Sequence, residues 1–349
     1  PLAAQDKAVI LHFGVIGYEA LLFVNGQQVG GHRGDFTPWE VEITDYVKFG
    51  ADNTIALRVF TDFGNRFGSP YPAAHVYGSQ WGIGNIKGGL WQDVSVRYEE
   101  KVRIESVSIT PQLEKKALAV DWKIVNRGPE QALTLYAAVV SAMKGDKSQA
   151  ANLPLTTIAL KQGLSEGTVE IPLQKPELWS PENPYLYYLS LALVDGQTVV
   201  TARTERFGFR DFKVRGKYFY LNGKRIYLFG ENIRAVDYGG RRVEGEEIKR
   251  ALAEKLSGFK RQGYNIVRNA HLPVIPVALD LADEIGIMFY NEWAWAFTNS
   301  IAEEEFEKNN LAEIAQWVAR DYNHPAVVMW SLGNEVKHAD RPDVCRQMD

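Results

Sequence analysis

Carboxylate, amide and guanidinium side chains follow four apolar segments in the last third of the chain. Glu231-Asn232 follows the first segment, Arg268-Asn269-Ala270-His271 the second, Asn291-Glu292-Trp293 the third and Asn334-Glu335 the fourth. The other ends of these segments carry few such groups. If the segments are parallel strands, their carboxyl ends meet at one rim, and the polar side chains meet there too. The sequence therefore predicts one site that is rich in carboxylates.

Glu335 has the type and position of a proton donor for glycoside cleavage. That reaction passes through an oxocarbenium-like transition state and uses two carboxyl groups, one of them protonated. Glu335 ends the run 330–335 after an apolar strand, and burial beside Trp330 would keep such an acid protonated near neutral pH. Alternatively, Glu335 stands in the first turn of a following helix, where the helix dipole favours an anion. Its place at a strand end favours the acid.

Arg268 and His271 are candidates for orienting a second carboxylate or binding the substrate. Arg268 would hold a carboxylate ionised, or it would form a structural ion pair with Glu292. His271 would bind sugar hydroxyls, or it would hydrogen-bond within its own loop because Pro273 follows closely. The residue types alone leave both alternatives open.

Aromatic residues surround the same strand ends. Trp293 and Trp295 flank Ala294, and they would line a sugar pocket or pack behind the rim. His324-Pro325 is typical of a helix stop, because the residue before a proline disfavours helical geometry. We therefore expect a structural role for that pair.

Residues 212–349 alternate between strand and helix patterns. After a hairpin at Asn222-Gly223, apolar strand segments at 228–230, 265–268, 287–290 and 326–330 are separated by helix patterns at 245–262, 275–284 and 302–322. Such alternation predicts parallel strands joined by crossover helices. Four units correspond to the first half of an eight-stranded (β/α)8 TIM barrel. A small doubly wound sheet is the alternative.

The first 211 residues have the pattern of all-β units. Residues 1–100 predict a jelly-roll-like β-sandwich with a tight turn at Asn25-Gly26, and residues 101–211 predict an immunoglobulin-like β-sandwich. The segment 63–89 lacks strand periodicity, and a loop of that length is either disordered or functional. Its aromatic residues favour an ordered, functional loop. Three prolines in 176–184 predict an extended path along the edge of the second sandwich.

Composition narrows the classes of partner. The chain has 349 residues, and its 39 basic and 43 acidic residues nearly cancel, which argues against nucleic acid as a partner. No apolar run is long enough to span a bilayer. The single cysteine, Cys345, rules out an intrachain disulfide and leaves the compartment open. No metal-ligand spacing or phosphate loop stands out, so we expect no cofactor, while a structural or activating Mg²⁺ or Na⁺ ion stays open.

The chain resembles glycoside hydrolase family 2, which contains β-galactosidases, β-glucuronidases and β-mannosidases. The resemblance covers nearly the whole chain and rests on the segments 23–26, 34–39, 89–94, 207–210, 265–268 with His271, and 323–335. It implies that Glu335 is the general acid/base of a retaining mechanism and that Asn334 hydrogen-bonds the sugar 2-hydroxyl. It also implies that Arg268, His271, Asn232 and Glu292 line the subsite for the cleaved sugar, where we add Trp293.

Three features depart from the family pattern. Arg234 stands where the family usually has His, and this basic residue favours a changed sugar preference. The sequence 291–295 differs from the Glu-and-His pattern of the best-known β-galactosidases. The family's nucleophilic Glu lies on a later strand than the four seen here, so we expect an internal portion of a longer enzyme that would not turn over substrate alone.

The sequence thus predicts a retaining exo-acting β-glycosidase with a carbohydrate substrate. β-Galactosidase is the first choice, and β-glucuronidase or β-mannosidase is the alternative within the family. A carbohydrate-binding protein that kept the scaffold and lost catalysis is the competing class. We expect no nucleic-acid or membrane partner, and leave self-association open.

Overall fold

The computed structural model describes residues 2–17, 19–34, 36–60, 89–90, 92–233, 245–294 and 304–334. Four positions named above, Arg234, Trp295, Glu335 and Cys345, lie outside these ranges, as does most of the segment 63–89. Among the described residues, no helix is long and apolar enough to cross a membrane.

The first unit is built from short antiparallel strands and two 3₁₀ turns (Leu2–Ala4 and Thr44–Tyr46). The strands are β1 (Ala8–Phe13), β2 (Ile16–Gly17), β3 (Glu19–Val24), β4 (Gln27–Arg33), β5 (Trp39–Glu42), β6 (Ile55–Phe60), β7 (Gly89–Leu90) and β8 (Val94–Glu99). They form sheets in the orders β5-β1-β8, β4-β3-β6 and β2-β7. Alternate residues of β1 and β3 supply most of the core between them, as strand geometry requires.

Asn25-Gly26 joins β3 to β4 as predicted. Both residues have positive φ angles, 51° and 84°, which a tight hairpin between twisted strands demands. Asn25 also links the hairpin to the second 3₁₀ turn, since its Nδ2 donates to the carbonyl of Tyr46 at 2.8 Å.

The second unit is a two-sheet sandwich. Its strands are β9 (Val102–Gln112), β10 (Ala117–Asn126), β11 (Gln131–Ser141), β12 (Gln149–Leu160), β13 (Gly163–Pro172), β14 (Tyr187–Asp195) and β15 (Thr198–Phe207). The sheets β13-β10-β9 and β12-β11-β14-β15 share one apolar core. The immunoglobulin-like assignment and the unit boundaries 1–100, 101–211 and 212–349 stay predictions.

Strand β12 has a weak strand pattern in the sequence. It contains Pro154 and several polar residues, which weaken a strand pattern. The structure places it at a sheet edge and shifts its register against β11 beside Pro154. An edge strand tolerates proline because its outer N–H positions need no partner.

The third unit begins with an antiparallel sheet and continues as a parallel one. Strands β16 (Phe212–Arg215), β17 (Tyr218–Leu221) and β18 (Lys224–Ile226) pair in sequence. There follow β19 (Gly230–Ile233), α1 (Gly245–Arg261), β20 (Ile266–Asn269), α2 (Pro276–Ile285), β21 (Met288–Glu292), α3 (Glu304–Asp321) and β22 (Val327–Ser331). The helices α1 and α2 bury Leu252, Leu256 and Leu279 against the sheet.

The parallel sheet has the order β19-β20-β21-β22. Each strand therefore pairs with the next one along the chain, which is the order of a barrel; a doubly wound sheet reverses its order at a switch point. The first strand starts later than the pattern at 228–230 predicts, so Glu231 and Asn232 lie within β19. Asn269, Asn291 and Glu292 likewise lie in the last residues of their strands.

Candidate active site

A fully buried carboxylate stands at the carboxyl end of β21. Glu292 has no exposed surface, and both of its oxygens accept hydrogen bonds. Arg268 in β20 donates from Nε to Oε2 at 2.7 Å and from Nη2 to Oε1 at 2.9 Å. Ser331 Oγ, at the end of β22, donates to Oε2 at 2.8 Å. Three neighbouring strand ends thus contribute to one hydrogen-bonded cluster.

The bidentate contact with Arg268 stabilises the buried negative charge of Glu292. An isolated carboxylate in an apolar interior is strongly disfavoured, whereas a bidentate guanidinium matches its geometry and charge. Taking one partner away from such a buried pair typically destabilises a protein by about 3–5 kcal/mol. Arg268 and Glu292 therefore form a unit, and neither is replaceable alone.

His271, just beyond β20, adds a third donor to the same carboxylate. Its Nδ1 lies 3.0 Å from Glu292 Oε1 and 3.4 Å from Arg268 Nη2. A carboxylate only accepts hydrogen bonds and a guanidinium only donates them. Because the Glu292 contact is the shorter, Nδ1 carries the hydrogen and points it at Glu292.

Asn334 completes the cluster from the chain segment after β22. Arg268 Nη2 donates to Asn334 Oδ1 at 2.7 Å. Since Arg268 cannot accept, this contact fixes which end of the amide faces it. The opposite end, Nδ2, is buried and has no hydrogen-bond partner among the residues that the structure describes. Buried donors are nearly always paired, so an unpaired one at a strand end indicates a place for a ligand acceptor.

An aromatic group packs beneath the cluster. Trp293 is fully buried, and its Nε1 donates to Asn310 Oδ1 at 2.6 Å. Its ring meets Phe36 of the first unit edge-on at 5.8 Å and Trp317 of α3 at 5.3 Å. Trp330 of β22 in turn meets Trp317 at 4.9 Å. In this structure Trp293 packs behind the rim, and its contact with a sugar stays a prediction.

The structure thus gathers Arg268, His271, Glu292 and Asn334. Asn232 lies beside Arg268 in the strand register, but its side chain is exposed. Sequence reasoning assigned no role to Ser331, although it belongs to the segment 330–335. The sequence feature that could have identified Ser331 is a small hydroxyl residue directly after the apolar strand segment 326–330.

One further group of ligand-type side chains lies at the other end of the parallel strands. Among the described residues, only Asp280, Asp283 and His324 bring three such atoms within 4.8 Å of one another. Arg206 contacts Asp280 at 2.7 Å and Asp283 at 3.4 Å. A guanidinium therefore already supplies the positive charge there, and the group is an ion-pair network.

Comparisons with known proteins agree with this architecture. The family model described as glycosyl hydrolases family 2, TIM barrel domain, matches residues 212–347, and a second model, glycosyl hydrolases family 2, matches residues 102–210. The chain belongs to glycoside hydrolase family 2.

Similar proteins carry two different activity names. The chain is 28% identical to a β-galactosidase of Thermoanaerobacter pseudethanolicus over 94% of its own length and 42% of that protein. It is 26% identical to a β-glucuronidase of Bacteroides fragilis over 97% of its length and 49% of that protein. A crystal structure of a family 2 member from Bacteroides cellulosilyticus matches with a TM-score of 0.81 and 26% identity, over 99% of this chain and 46% of the other. The chain thus spans less than half the length of these relatives.

Proposed function

We propose that this chain contributes the acid/base side of the active site of a retaining, exo-acting β-glycosidase. One observation carries the proposal. Arg268 donates to Asn334 Oδ1, while the buried Nδ2 of Asn334 has no partner among the described residues. The residue that follows it in the sequence is Glu335. Glycoside cleavage uses a carboxylic acid as proton donor, and hydrogen bonds to the sugar 2-hydroxyl stabilise its transition state further.

In this proposal Glu335 protonates the glycosidic oxygen and later accepts a proton from the attacking water. Asn334 Nδ2 donates to the 2-hydroxyl of the sugar, a bond that strengthens as positive charge develops at the neighbouring carbon. Arg268 and His271 keep Asn334 and Glu292 in place. The roles of Glu335 and Asn334 come from the family resemblance, and the contacts of the described residues support them.

Glu292 is unsuited to the role of nucleophile. Its two oxygens accept four hydrogen bonds from Arg268, His271 and Ser331, so its charge is already neutralised and its lone pairs are engaged. A retaining enzyme places its nucleophile about 5–5.5 Å from the acid. We propose that this second carboxylate comes from a part of the full-length gene product outside the described residues.

β-Galactosides remain the first choice of substrate, in line with the similar protein of that name. β-Glucuronides are the second, because the residue after β19 in the sequence is Arg234, and a guanidinium is suited to pair with a sugar carboxylate. The Bacteroides fragilis relative named β-glucuronidase supports the same choice.

A panel of 4-nitrophenyl β-glycosides on the full-length gene product tests the function. We expect release of nitrophenol from the galactoside or the glucuronide, with retention of configuration followed by NMR. Saturable binding of these sugars without hydrolysis would instead support the carbohydrate-binding alternative. Absence of both binding and hydrolysis across the panel would contradict the proposal.

A further inference from the structure

Two sequence motifs that contribute no residue to the candidate active site contact each other at the start of β22. The segment Phe207-Gly208-Phe209-Arg210 leaves the second sandwich, and Asn323-His324-Pro325 leads into β22. Arg210 donates from Nε to the carbonyl of Pro325 at 2.9 Å and from Nη2 to the carbonyl of Val327. One guanidinium therefore spans the first residues of the strand.

This arrangement is unusual for a charged side chain. Among the described residues Arg210 forms no salt bridge; the groups that it contacts are neutral carbonyls. Burial lowers the pKa of the Arg210 guanidinium to about 10, which still leaves it charged at neutral pH. Burying a cation without a direct counter-ion costs free energy, and the two hydrogen bonds to backbone carbonyls offset part of that cost. The position of β22 is what the two bonds determine.

Further contacts fix the residues just before β22. The N–H of Ala326 donates to Asp283 Oδ1 at 3.0 Å. Asn323 bridges into the second sandwich, where its Oδ1 accepts from Ile109 N at 2.8 Å and its Nδ2 donates to the carbonyl of Val107 at 2.9 Å. Pro325 packs so tightly on Gly208 that an added Cβ would stand 2.7 Å from its ring.

The pairing of β22 with β21 is not continuous. Its pairing with β21 contains a register shift between Phe289 and Tyr290, so the lower and upper halves of the pair follow different registers. Such an irregularity disrupts the ladder locally and bends the strand. The contacts outside the ladder, at the start of β22, therefore add to the sheet pairing in placing the far end of the strand.

The far end of β22 is where the candidate active site begins. Ser331 donates to Glu292, and Asn334 and Glu335 follow. Val327 and Ser331 are four residues apart, which is about 13 Å in an extended strand. We propose that Arg210 is a positioning residue: by clamping the start of β22 to the second sandwich, it sets the axial position of Asn334 and Glu335. This inference rests on the proposed function of those two residues.

The experiment compares Arg210→Met with Lys260→Met in the full-length gene product. Lys260 is a matched control, because its Nζ also donates to two backbone carbonyls, those of Pro181 and Ile285, and it does not touch β22 in these contacts. Each variant is assayed by kcat/KM on two aryl glycosides of the hydrolysed sugar. The 2,4-dinitrophenolate group leaves its glycoside without protonation. The 4-methylphenolate group is a poorer leaving group and needs a proton from the general acid.

A displaced acid lowers kcat/KM selectively for the substrate that needs protonation. For Arg210→Met we expect a loss of about tenfold or more on the 4-methylphenyl glycoside and less than about threefold on the dinitrophenyl one, given that a general acid contributes about 10²–10⁴-fold. Arg210→Lys, which keeps one donor group, should recover part of the loss. Lys260→Met should lower the melting temperature and leave the ratio of the two rates unchanged. Equal losses on both substrates, or an unchanged ratio in Arg210→Met, would overturn the proposal.

Hydrogen exchange separates this inference from the proposed function. If the wild-type protein hydrolyses neither glycoside, the proposed function has failed, and the clamp is judged by the amides of 327–334 alone. Exchange there should rise more in Arg210→Met than in Lys260→Met. The milder Arg210→Lys gives the same comparison if Arg210→Met does not fold, and equal exchange in both variants would overturn the clamp.

Discussion

The two ends of the parallel sheet each hold a buried carboxylate surrounded by an arginine and a histidine. At the carboxyl ends of the strands, Glu292 is bonded to Arg268, His271 and Ser331. At the opposite end, Asp283 is bonded to His324, Arg206 and the N–H of Ala326. In residue types and burial the two networks are nearly equivalent.

The two networks differ in whether a buried polar atom lacks a hydrogen-bond partner. Among the described residues, no buried side-chain atom of Asp283, His324 or Arg206 lacks a hydrogen-bond partner, and the network joins the second sandwich to α2 and β22. Next to Glu292, Asn334 Nδ2 is buried and has no partner in the described part of the chain. A cluster of ionisable residues is therefore not by itself a sign of catalysis, since structural ion pairs have the same composition. Unpaired buried donors also occur elsewhere among the described residues, for example Trp122 Nε1 in the core of the second sandwich. Asn334 Nδ2 indicates a ligand site because it lies at the strand ends, next to the cluster around Glu292.

Removing Arg268 should cause the largest change. Arg268→Met leaves the Glu292 carboxylate buried without its guanidinium partner, and we expect a loss of about 3–5 kcal/mol in the free energy of unfolding. The double variant Arg268→Met/Glu292→Met should lose less than the sum of the two single variants. Urea unfolding of the four proteins measures this coupling, and strict additivity would show that the pair is not a unit.

Asn334→Ala should mainly affect catalysis. We expect kcat/KM to fall by roughly 100-fold, comparable to the loss of one transition-state hydrogen-bond donor. A 2-deoxy glycoside lacks the proposed acceptor, and its hydrolysis should change little in the same variant. Equal losses on both substrates would place the Nδ2 donor elsewhere.

Gly208→Ala probes the structural joint. The added Cβ would stand 2.7 Å from Pro325 and 2.9 Å from Trp179, and overpacking of this kind typically destabilises by about 1–3 kcal/mol. Gly258→Ala in α1 is the control, because its Cβ would meet only the end of Arg261 at 3.7 Å. It should stabilise slightly, since alanine favours helix. A Gly208→Ala protein as stable as wild type would show that this contact gives way.

His324 should give the smallest effect, with a defined pH dependence. Burial lowers its pKa, but the charge of Asp283 and the hydrogen bond to it outweigh burial, so the pKa is raised above 6.5. A raised folded-state pKa stabilises fully below the unfolded value and is lost as pH rises through the folded value. The difference in melting temperature between wild type and His324→Gln should therefore be largest near pH 5.5 and narrow towards pH 9. A constant difference would mean that protonation of His324 does not contribute.

Much of the fold was accessible from the sequence because it depends on local signals. Asn25-Gly26 and Asn222-Gly223 have the positive φ angles that such turns need. The helix pattern at 245–262 corresponds to α1 at Gly245–Arg261. Pro154 and several polar residues weaken the pattern of the edge strand β12. The sequence places β19 too early, because Glu231 and Asn232 are polar and do not have the pattern of strand residues.

The long-range contacts were beyond sequence reasoning. Arg210 and Val327 are 117 positions apart, and Arg206 and Asp283 are 77 positions apart, so no periodicity connects them. His324-Pro325 reads locally as a helix stop, while its bond to Asp283 depends on how α2 packs. Trp293 illustrates the same limit, because its burial is set by Phe36 from the first sandwich and Trp317 from α3.

Replacing Glu335 by Ala in the full-length gene product, with azide supplied, tests the central claim most directly. A glycoside with a poor leaving group should lose about 10²–10⁴-fold in rate when its general acid is removed. Azide, which needs no base, should restore turnover on an activated aryl β-glycoside and yield a β-glycosyl azide. Glu166→Ala, at an exposed position of β13, should behave as wild type. Undiminished hydrolysis by Glu335→Ala would contradict the account.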